Sequence, residues 1–293
     1  STNFDIYKKA LQWVLKNHEE YNIVSVNMSL GGGNNTYRDS YSRENSIFKS
    51  LENAGVAVIV ATGNDFADNY TAGIMSPANM KNVISVSSVY AETYSINYKL
   101  KGMVEGEFKG GSGNSSVAPF RQLSGFIESY QVNEGELVSS AQRAPNLVDV
   151  LAPGGFITSA KDQYNPGSRG YYVDKNGTSM AAPIIAGSVA LFQQVAKEYL
   201  GRKLTVGEIR QLIKGTSTKE YDGDDEYYAG VSKATNAYYN LINIQNFSEG
   251  IMDLAPAGSY KITLGNSDST GSNFGFYPAS TDVATEKSDY IVG

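Results

Sequence analysis

The sequence predicts an α/β fold of three layers, with a mainly parallel sheet flanked by helices. Three observations carry this reading. Strand-length apolar stretches at residues 23–30, 56–61 and 83–89 are separated by a segment of helical character at 37–54 and by loops, the order expected of parallel strands joined by crossovers. Residues 56–61 are continuously apolar and rich in β-branched side chains, which marks a strand buried on both faces. Residues 180–192 are apolar throughout except for Ser188, as in a helix enclosed by the core.

Each element has its own justification. In 4–21, Ile6, Ala10, Trp13, Val14 and Leu15 recur at helical spacing among lysines and glutamates, and Asn22 breaks the pattern. Residues 23–30 place Val24, Val26, Met28 and Leu30 on one face of a strand, which Gly31-Gly32-Gly33 ends. Thr62-Gly63-Asn64 closes the strand at 56–61, and 83–89 supplies a third. Residues 91–136 carry Gly, Ser, Glu and Lys with short alternating patches such as Tyr94, Ile96, Tyr98 and Leu100, and read as a β-rich insertion. A short strand and turn at 148–154 return to the core. A helix at 206–214 is opened by Thr205 with Glu208 three residues on, a capping-box pattern. From Gly250 the texture changes: 260–264 reads as a strand and a Gly/Ser/Asn-rich tail follows. The expected organisation is one domain over 1–249, interrupted by the insertion, and a β-rich or irregular tail over 250–293 that starts a further module.

Composition narrows the function. A chain of 293 residues that is 41% hydrophobic and 18% charged has the makings of a full core. A net charge of −6 without a basic patch excludes nucleic acid as the main partner. No apolar run in the sequence reaches membrane-spanning length. With no cysteines, disulfides, thiol nucleophiles and Cys-ligated metals are excluded.

The chemistry centres on Asn176-Gly177-Thr178-Ser179-Met180-Ala181-Ala182-Pro183. A sharp turn here delivers Ser179 to the first turn of the buried helix. Free backbone N–H groups and the helix dipole favour negative charge developing beside the serine oxygen. The pattern places Pro183 in that first turn, where its missing N–H costs little. A simpler role for Ser179, as an N-cap of a core helix, fits the bare pattern as well.

The octet closely resembles the nucleophile segment of the subtilases, the subtilisin-like serine peptidases. Residues 26–32, Val-Asn-Met-Ser-Leu-Gly-Gly, resemble the family's strand that pairs with an extended substrate backbone, which gives substrate contacts to Ser29, Leu30, Gly31 and Gly32. Residues 55–64 resemble the strand that ends in the oxyanion asparagine. By that resemblance the Asn64 amide and the Ser179 N–H are the two oxyanion donors, with Thr62 and Gly63 beside the substrate. The segment from Ser76 through Val86 resembles the proline-containing loop and strand beside the pocket for the acyl-side residue (P1), which places Met75 and Asp65 near it. If Met75 fills the floor of that pocket, very large P1 side chains fit poorly. Asp149-Val150-Leu151-Ala152-Pro153-Gly154 resembles the strand and turn that precede the nucleophile; its aspartate is expected in a turn or ion pair, outside the catalytic triad.

The resemblance implies an acyl-enzyme serine endopeptidase acting on polypeptides, in a secreted or cell-envelope bacterial setting. It requires no cofactor and allows calcium as a structural ion, at a site the sequence does not place. The acidic run 222–226 offers carboxylate oxygens to calcium but lacks EF-hand spacing, and reads rather as a solvated acidic loop. The family's Asp-Thr-Gly and His-Gly-Thr segments are absent from this sequence, and the only histidine is His18, expected near a helix C-terminus. The expectation is therefore a truncated catalytic domain lacking the N-terminal strands of its fold, inactive alone, with an N-terminal segment of the parent protein supplying the Asp and His. The alternative is a non-catalytic pseudopeptidase that retains a peptide groove. A dinucleotide-binding reading of Gly31-Gly32-Gly33 fails, because Thr36 occupies the position of the last glycine in Gly-x-Gly-x-x-Gly.

Overall fold

A computed structural model describes residues 4–40, 42–66, 71–96, 99–101, 103–105, 122–123, 126–127, 130–165, 170–223, 227–228, 231–232 and 234–255. The main sheet has six strands: β1 (Ser25–Met28), β3 (Ala57–Ala61), β5 (Ile84–Tyr90), β6 (Val150–Gly155), β10 (Ala237–Leu241) and β9 (Thr218–Asp222), in that spatial order. The first five are parallel, and only β9 runs antiparallel, against β10. A two-stranded ribbon of β2 (Gly32–Asn35) and β4 (Ile74–Ser76) lies beside the sheet. A second ribbon, β7 (Ile157–Asn165) with β8 (Gly170–Lys175), leads into the Ser179 segment.

Strand alternation divides the core into two layers. Ala57, Ile59, Ala61, Ile84, Val86, Val150 and Ala152 face one side, where α3 (Thr178–Leu200), α4 (Val206–Thr216) and α5 (Ile244–Met252) pack on them. Val58, Val60, Val83, Val89 and Leu151 face the other side, toward α1 (Phe4–Asn17) and α2 (Asn45–Asn53). With every residue of β3 buried, the strand cannot have a polar face, which explains its unbroken apolar run. The three-layer α/β architecture agrees with the reading from sequence.

Several details differ. The helix expected over 37–54 begins only at Asn45, because Asp39 and Ser42 engage nearby backbone: Asp39 Oδ1 accepts from Ser42 N–H at 3.0 Å and Ser42 Oγ accepts from Asn45 N–H at 3.3 Å. Gly31–Gly33 does not end all pairing, since Gly32 already stands opposite Ser76 in the ribbon. The helix expected over 180–192 runs to Leu200, so at 23 residues α3 is long and apolar enough to span a membrane by length and composition. Its buried side chains, among them Ile185, Val189, Phe192 and Ala196, instead pack into the core. The Phe192 and Phe247 rings stack with centroids 3.6 Å apart, joining α3 to α5. α5 itself crosses the change of texture expected at residue 250, and Ile251 is fully buried. The described parts of 91–136 are short antiparallel strands, such as Tyr94–Ile96 against Tyr130–Val132. The strand expected at 260–264 and the rest of the tail lie outside the described residues.

Candidate active site

Two distant loops meet at the start of α3. Gly177, the residue before the helix, has φ +138 and no side chain to cap the four free N–H groups that follow. The cap comes from the end of β3 instead: Asn64 Oδ1 accepts the Thr178 N–H at 2.9 Å. The contact is reciprocal, since Thr178 Oγ1 accepts the Gly63 N–H at 3.1 Å. A Cβ on Gly177 would stand 2.9 Å from Asn64 Oδ1, so glycine is what lets the turn approach the asparagine. With Oδ1 committed to Thr178, the Asn64 Nδ2 hydrogens remain to donate to an incoming group. Ser179, the next residue, is half-buried, and so is Asn64.

The turn is held from behind as well. Gly177 N–H donates to Gly154 O at 2.8 Å, and a Cβ on Gly154 would lie 2.7 Å from Gly177 O. The Pro-Gly turn at the end of β6 is thus the floor on which the serine turn rests. Asn176 Oδ1 accepts the Phe156 N–H and ties in the start of the β7–β8 ribbon.

Pro183 does not occupy the first turn. It lies inside α3, with Thr178 the first helical residue. Its missing N–H is therefore the one that would bond the Ser179 carbonyl, four residues back. Ser29 fills that gap: its hydroxyl donates to Ser179 O at 2.9 Å. Ser25 makes a similar bond to Ala186 O at 2.9 Å, so β1 and the residue just after it are stitched to α3 at two points. The family resemblance assigns Ser29 a substrate-facing role; the structure gives its hydroxyl a bond to the backbone of the serine itself.

The remaining expected site residues divide by exposure. Ser29, Gly31 and Gly32 are exposed and Leu30 is half-buried, as an accessible edge requires. Thr62 is fully buried and its hydroxyl donates to Gln142 O at 2.7 Å, so its side chain faces the interior. Gly63 is buried beside it, and its carbonyl accepts the Gln142 N–H at 2.8 Å. Asp65 is exposed, and Met75 is buried, at 8% exposure, beneath the strand end. His18 lies just past the end of α1, its Nδ1 2.9 Å from Leu15 O. Asp149 forms an ion pair with Arg38 at 3.0 Å and accepts from Ser85 N–H at 2.8 Å, the ion-pair role expected of it.

The loop at 138–143 carries no recognisable motif, yet it braces the site. Arg143 is fully buried and pairs with Asp222 through Nε at 2.9 Å and Nη2 at 3.0 Å. Its Nη1 donates to the carbonyls of Val138, Ser139 and Ala141. Its guanidinium sits 3.8 Å from the centroid of Phe66. Asp222, part of the acidic run read as a calcium candidate, thus spends its carboxylate on an arginine and on Thr235 N–H and Oγ1. Among the described residues no group of three or more His, Cys, Asp or Glu is placed to hold a metal.

Comparison with known proteins bears on the family and the fold. The family model described as Subtilase family (peptidase S8) matches residues 1–237. The serine protease AprX of Bacillus subtilis (strain 168) is 27% identical over 236 residues, covering 78% of this chain and 46% of AprX. An extracellular protease of Xanthomonas campestris pv. campestris is 31% identical over 194 residues, covering 66% of this chain and 24% of that protein. The chain thus spans less than half the length of either relative. The solved structure of the prenylagaramide maturation protease PagA shares the fold, with a TM-score of 0.53 at 16% identity over 86% of this chain and 68% of that one. On the span of the family match, which exceeds three quarters of the chain, this protein belongs to the subtilase family.

Proposed function

We propose that this chain carries the nucleophile and oxyanion half of a serine endopeptidase centre. The observation that carries the reading is the Thr178 N–H to Asn64 Oδ1 bond at 2.9 Å, which sets an amide side chain beside the backbone of Ser179. In the complete centre a histidine takes the Ser179 Oγ proton as Oγ attacks the scissile carbonyl carbon. The oxyanion that forms accepts hydrogen bonds from the Asn64 Nδ2 and the Ser179 N–H. Collapse breaks the C–N bond, the histidine gives its proton to the leaving amine, and water then hydrolyses the acyl-enzyme. The chain's one histidine, His18, bonds the Leu15 carbonyl on α1. The histidine and its orienting aspartate therefore come from an N-terminal segment of the parent protein, which pairs along the outer edge of β1. This chain alone is inactive, because a serine without a base is a weak nucleophile. The substrate is a polypeptide bound along Ser29–Gly32. The mechanism needs no metal, and calcium is allowed only as a structural ion, with no site assigned. An extracellular relative supports a secreted setting.

Hydrolysis of an internally quenched peptide tests this. The chain joined to its upstream segment is expected to cleave, its Ser179→Ala variant and the isolated chain are not. Retained cleavage in Ser179→Ala overturns the proposal. The second reading, a peptide-binding pseudopeptidase, rests on the engagement of His18 away from the serine. It predicts peptide binding without hydrolysis even when the upstream segment is present.

A further inference from the structure

We infer that Phe156 is a positioning residue for Ser179, steadied by Tyr90, and that this ring contact ties the base of the insertion at 91–136 to the nucleophile turn. The inference rests on the reading of Ser179 as the nucleophile.

Three consecutive residues at the end of β6 depart from regular strand geometry. Pro153 stands opposite Val89 and Gly155 opposite Tyr90, so Gly154 is an extra residue on β6, a bulge. Gly155 lies against a ring, since a Cβ there would stand 2.3 Å from Tyr90 Cδ1. Phe156, alone between β6 and β7, has φ +56. Among the described residues four non-glycines have positive φ, and the other three are Asn22, Asn146 and Asn236. Asparagine tolerates that conformation, whereas a side chain as bulky as phenylalanine is strained in it.

The bulge and the strained residue both reach the segment that delivers the serine. Gly154 O accepts the Gly177 N–H at 2.8 Å, and Asn176 Oδ1 accepts the Phe156 N–H. Residues 154–156 thus clamp the two residues that precede Thr178 and Ser179. The Phe156 ring stacks on Tyr90, with centroids 5.6 Å apart and planes inclined by 26°, which offsets the backbone strain. Tyr90 is itself fixed: it is 3% exposed, its N–H donates to Glu136 O at 2.9 Å, and its carbonyl accepts the Gly135 N–H at 3.0 Å. Those two bonds close the base of the insertion, where the chain leaves the sheet after Tyr90 and returns with Leu137 bridged to Val89. The ring pair is therefore shared between the insertion's base and the nucleophile turn. Glycine would take this φ without strain, but it would leave the Asn176 clamp without the ring that aims it. Strain held beside a reacting group is a mark of geometry set for function.

The test is hydrolysis of an internally quenched peptide by the chain joined to its upstream segment, with kcat and KM separated and folding verified by thermal melts. Phe156→Gly is expected to lower kcat about tenfold or more with KM unchanged, the signature of a misplaced reacting group. Phe156→Tyr, which keeps the ring, is expected to retain wild-type kcat. Tyr90→Leu keeps bulk but loses the flat ring, and is expected to lower kcat in the same way; it decides if Phe156→Gly does not fold. Phe156→Gly combined with Asn176→Ala should lose no more than the worse single variant, because either one opens the same clamp. Wild-type kcat in Phe156→Gly, a Phe156→Tyr variant just as slow, or full additivity in the double variant overturns this inference and leaves Ser179 as the nucleophile. Absence of cleavage by the joined wild-type chain overturns it together with the proposed function.

Discussion

Replacing Asp222 with alanine strips Arg143 of its carboxylate in a site where both side chains are 0% exposed. The pair is bidentate, at 2.9 and 3.0 Å, and Asp222 also accepts from Thr235 N–H at 2.8 Å and Thr235 Oγ1 at 2.5 Å. The three carbonyls around Nη1 remain in the variant, but they do not neutralise a buried guanidinium. Breaking such a pair from one side costs about 3–5 kcal/mol, a large share of the roughly 5–15 kcal/mol that holds a typical domain folded. Urea unfolding of wild type and Asp222→Ala, followed by circular dichroism, measures the difference. The companion variant Arg143→Met with Asp222→Leu removes both charges, and by the same reasoning its cost is far smaller than that of Asp222→Ala, down to none. The loop that Arg143 anchors also carries Gln142, so Asp222→Ala is expected to weaken peptide binding along with stability. A loss below about 1 kcal/mol for Asp222→Ala, or a double variant as damaged as the single one, would refute the argument that charge burial rather than packing volume dominates here.

Three further outcomes follow from the geometry. Ser29→Ala removes the donor that compensates for Pro183 at the Ser179 carbonyl, so it should cost about 0.5–1.5 kcal/mol in unfolding free energy and, in the chain joined to its upstream segment, lower turnover with little change in KM; wild-type turnover there would show that the bond does not position the serine. Gly63→Ala puts a methyl 1.9 Å from Gln142 Oε1 at a φ of +108, which should destabilise the fold by at least about 1–3 kcal/mol; a thermal melt matching wild type would contradict the packing. Glu208 gives a pH signature: the paired hydrogen bonds from Arg202, against a smaller opposing effect of burial and helped by those from Thr205, hold its carboxyl at about 2, below its ordinary value of 4.5. Its contribution is therefore full above about 4.5 and is lost as pH falls toward 2. Urea midpoints measured across that window should fall more in wild type than in Glu208→Gln, and identical slopes would contradict the assignment.

Much of this architecture was readable in the residues, for reasons that differ by element. Strand β3 was plain because a strand buried on both faces leaves no polar positions in its sequence. The capping box at Thr205 was legible because it is wholly local: Thr205 Oγ1 accepts from Glu208 N–H and Glu208 Oε2 accepts from Thr205 N–H. The meeting of Asn64 with Thr178 spans 114 positions, and only the resemblance of both segments to one family anticipated it. Pro183 was misplaced because the helix start depends on where Asn64 caps it, a contact no local pattern encodes. Gln142 and Arg143 left no trace for a related reason. Polar residues in a run such as Ser-Ser-Ala-Gln-Arg-Ala read as surface, and what buries them are partners at Gly33, Gly63 and Asp222, all distant in sequence. Asp222 read as part of a solvated acidic loop for the same reason, since its neighbours in the chain are acidic while its partner in space is the buried Arg143.

The central claim is that Ser179 and Asn64 act together on one reacting carbonyl. The rate of phosphonylation by a fluorophosphonate, with the adduct mapped by mass spectrometry in the chain joined to its upstream segment, tests it directly. The adduct should lie on Ser179, and Asn64→Ala should slow its formation by about 10²–10³, the loss known for the side-chain oxyanion donor of subtilisin itself. An adduct on another residue, or a rate indifferent to Asn64→Ala, would contradict the account.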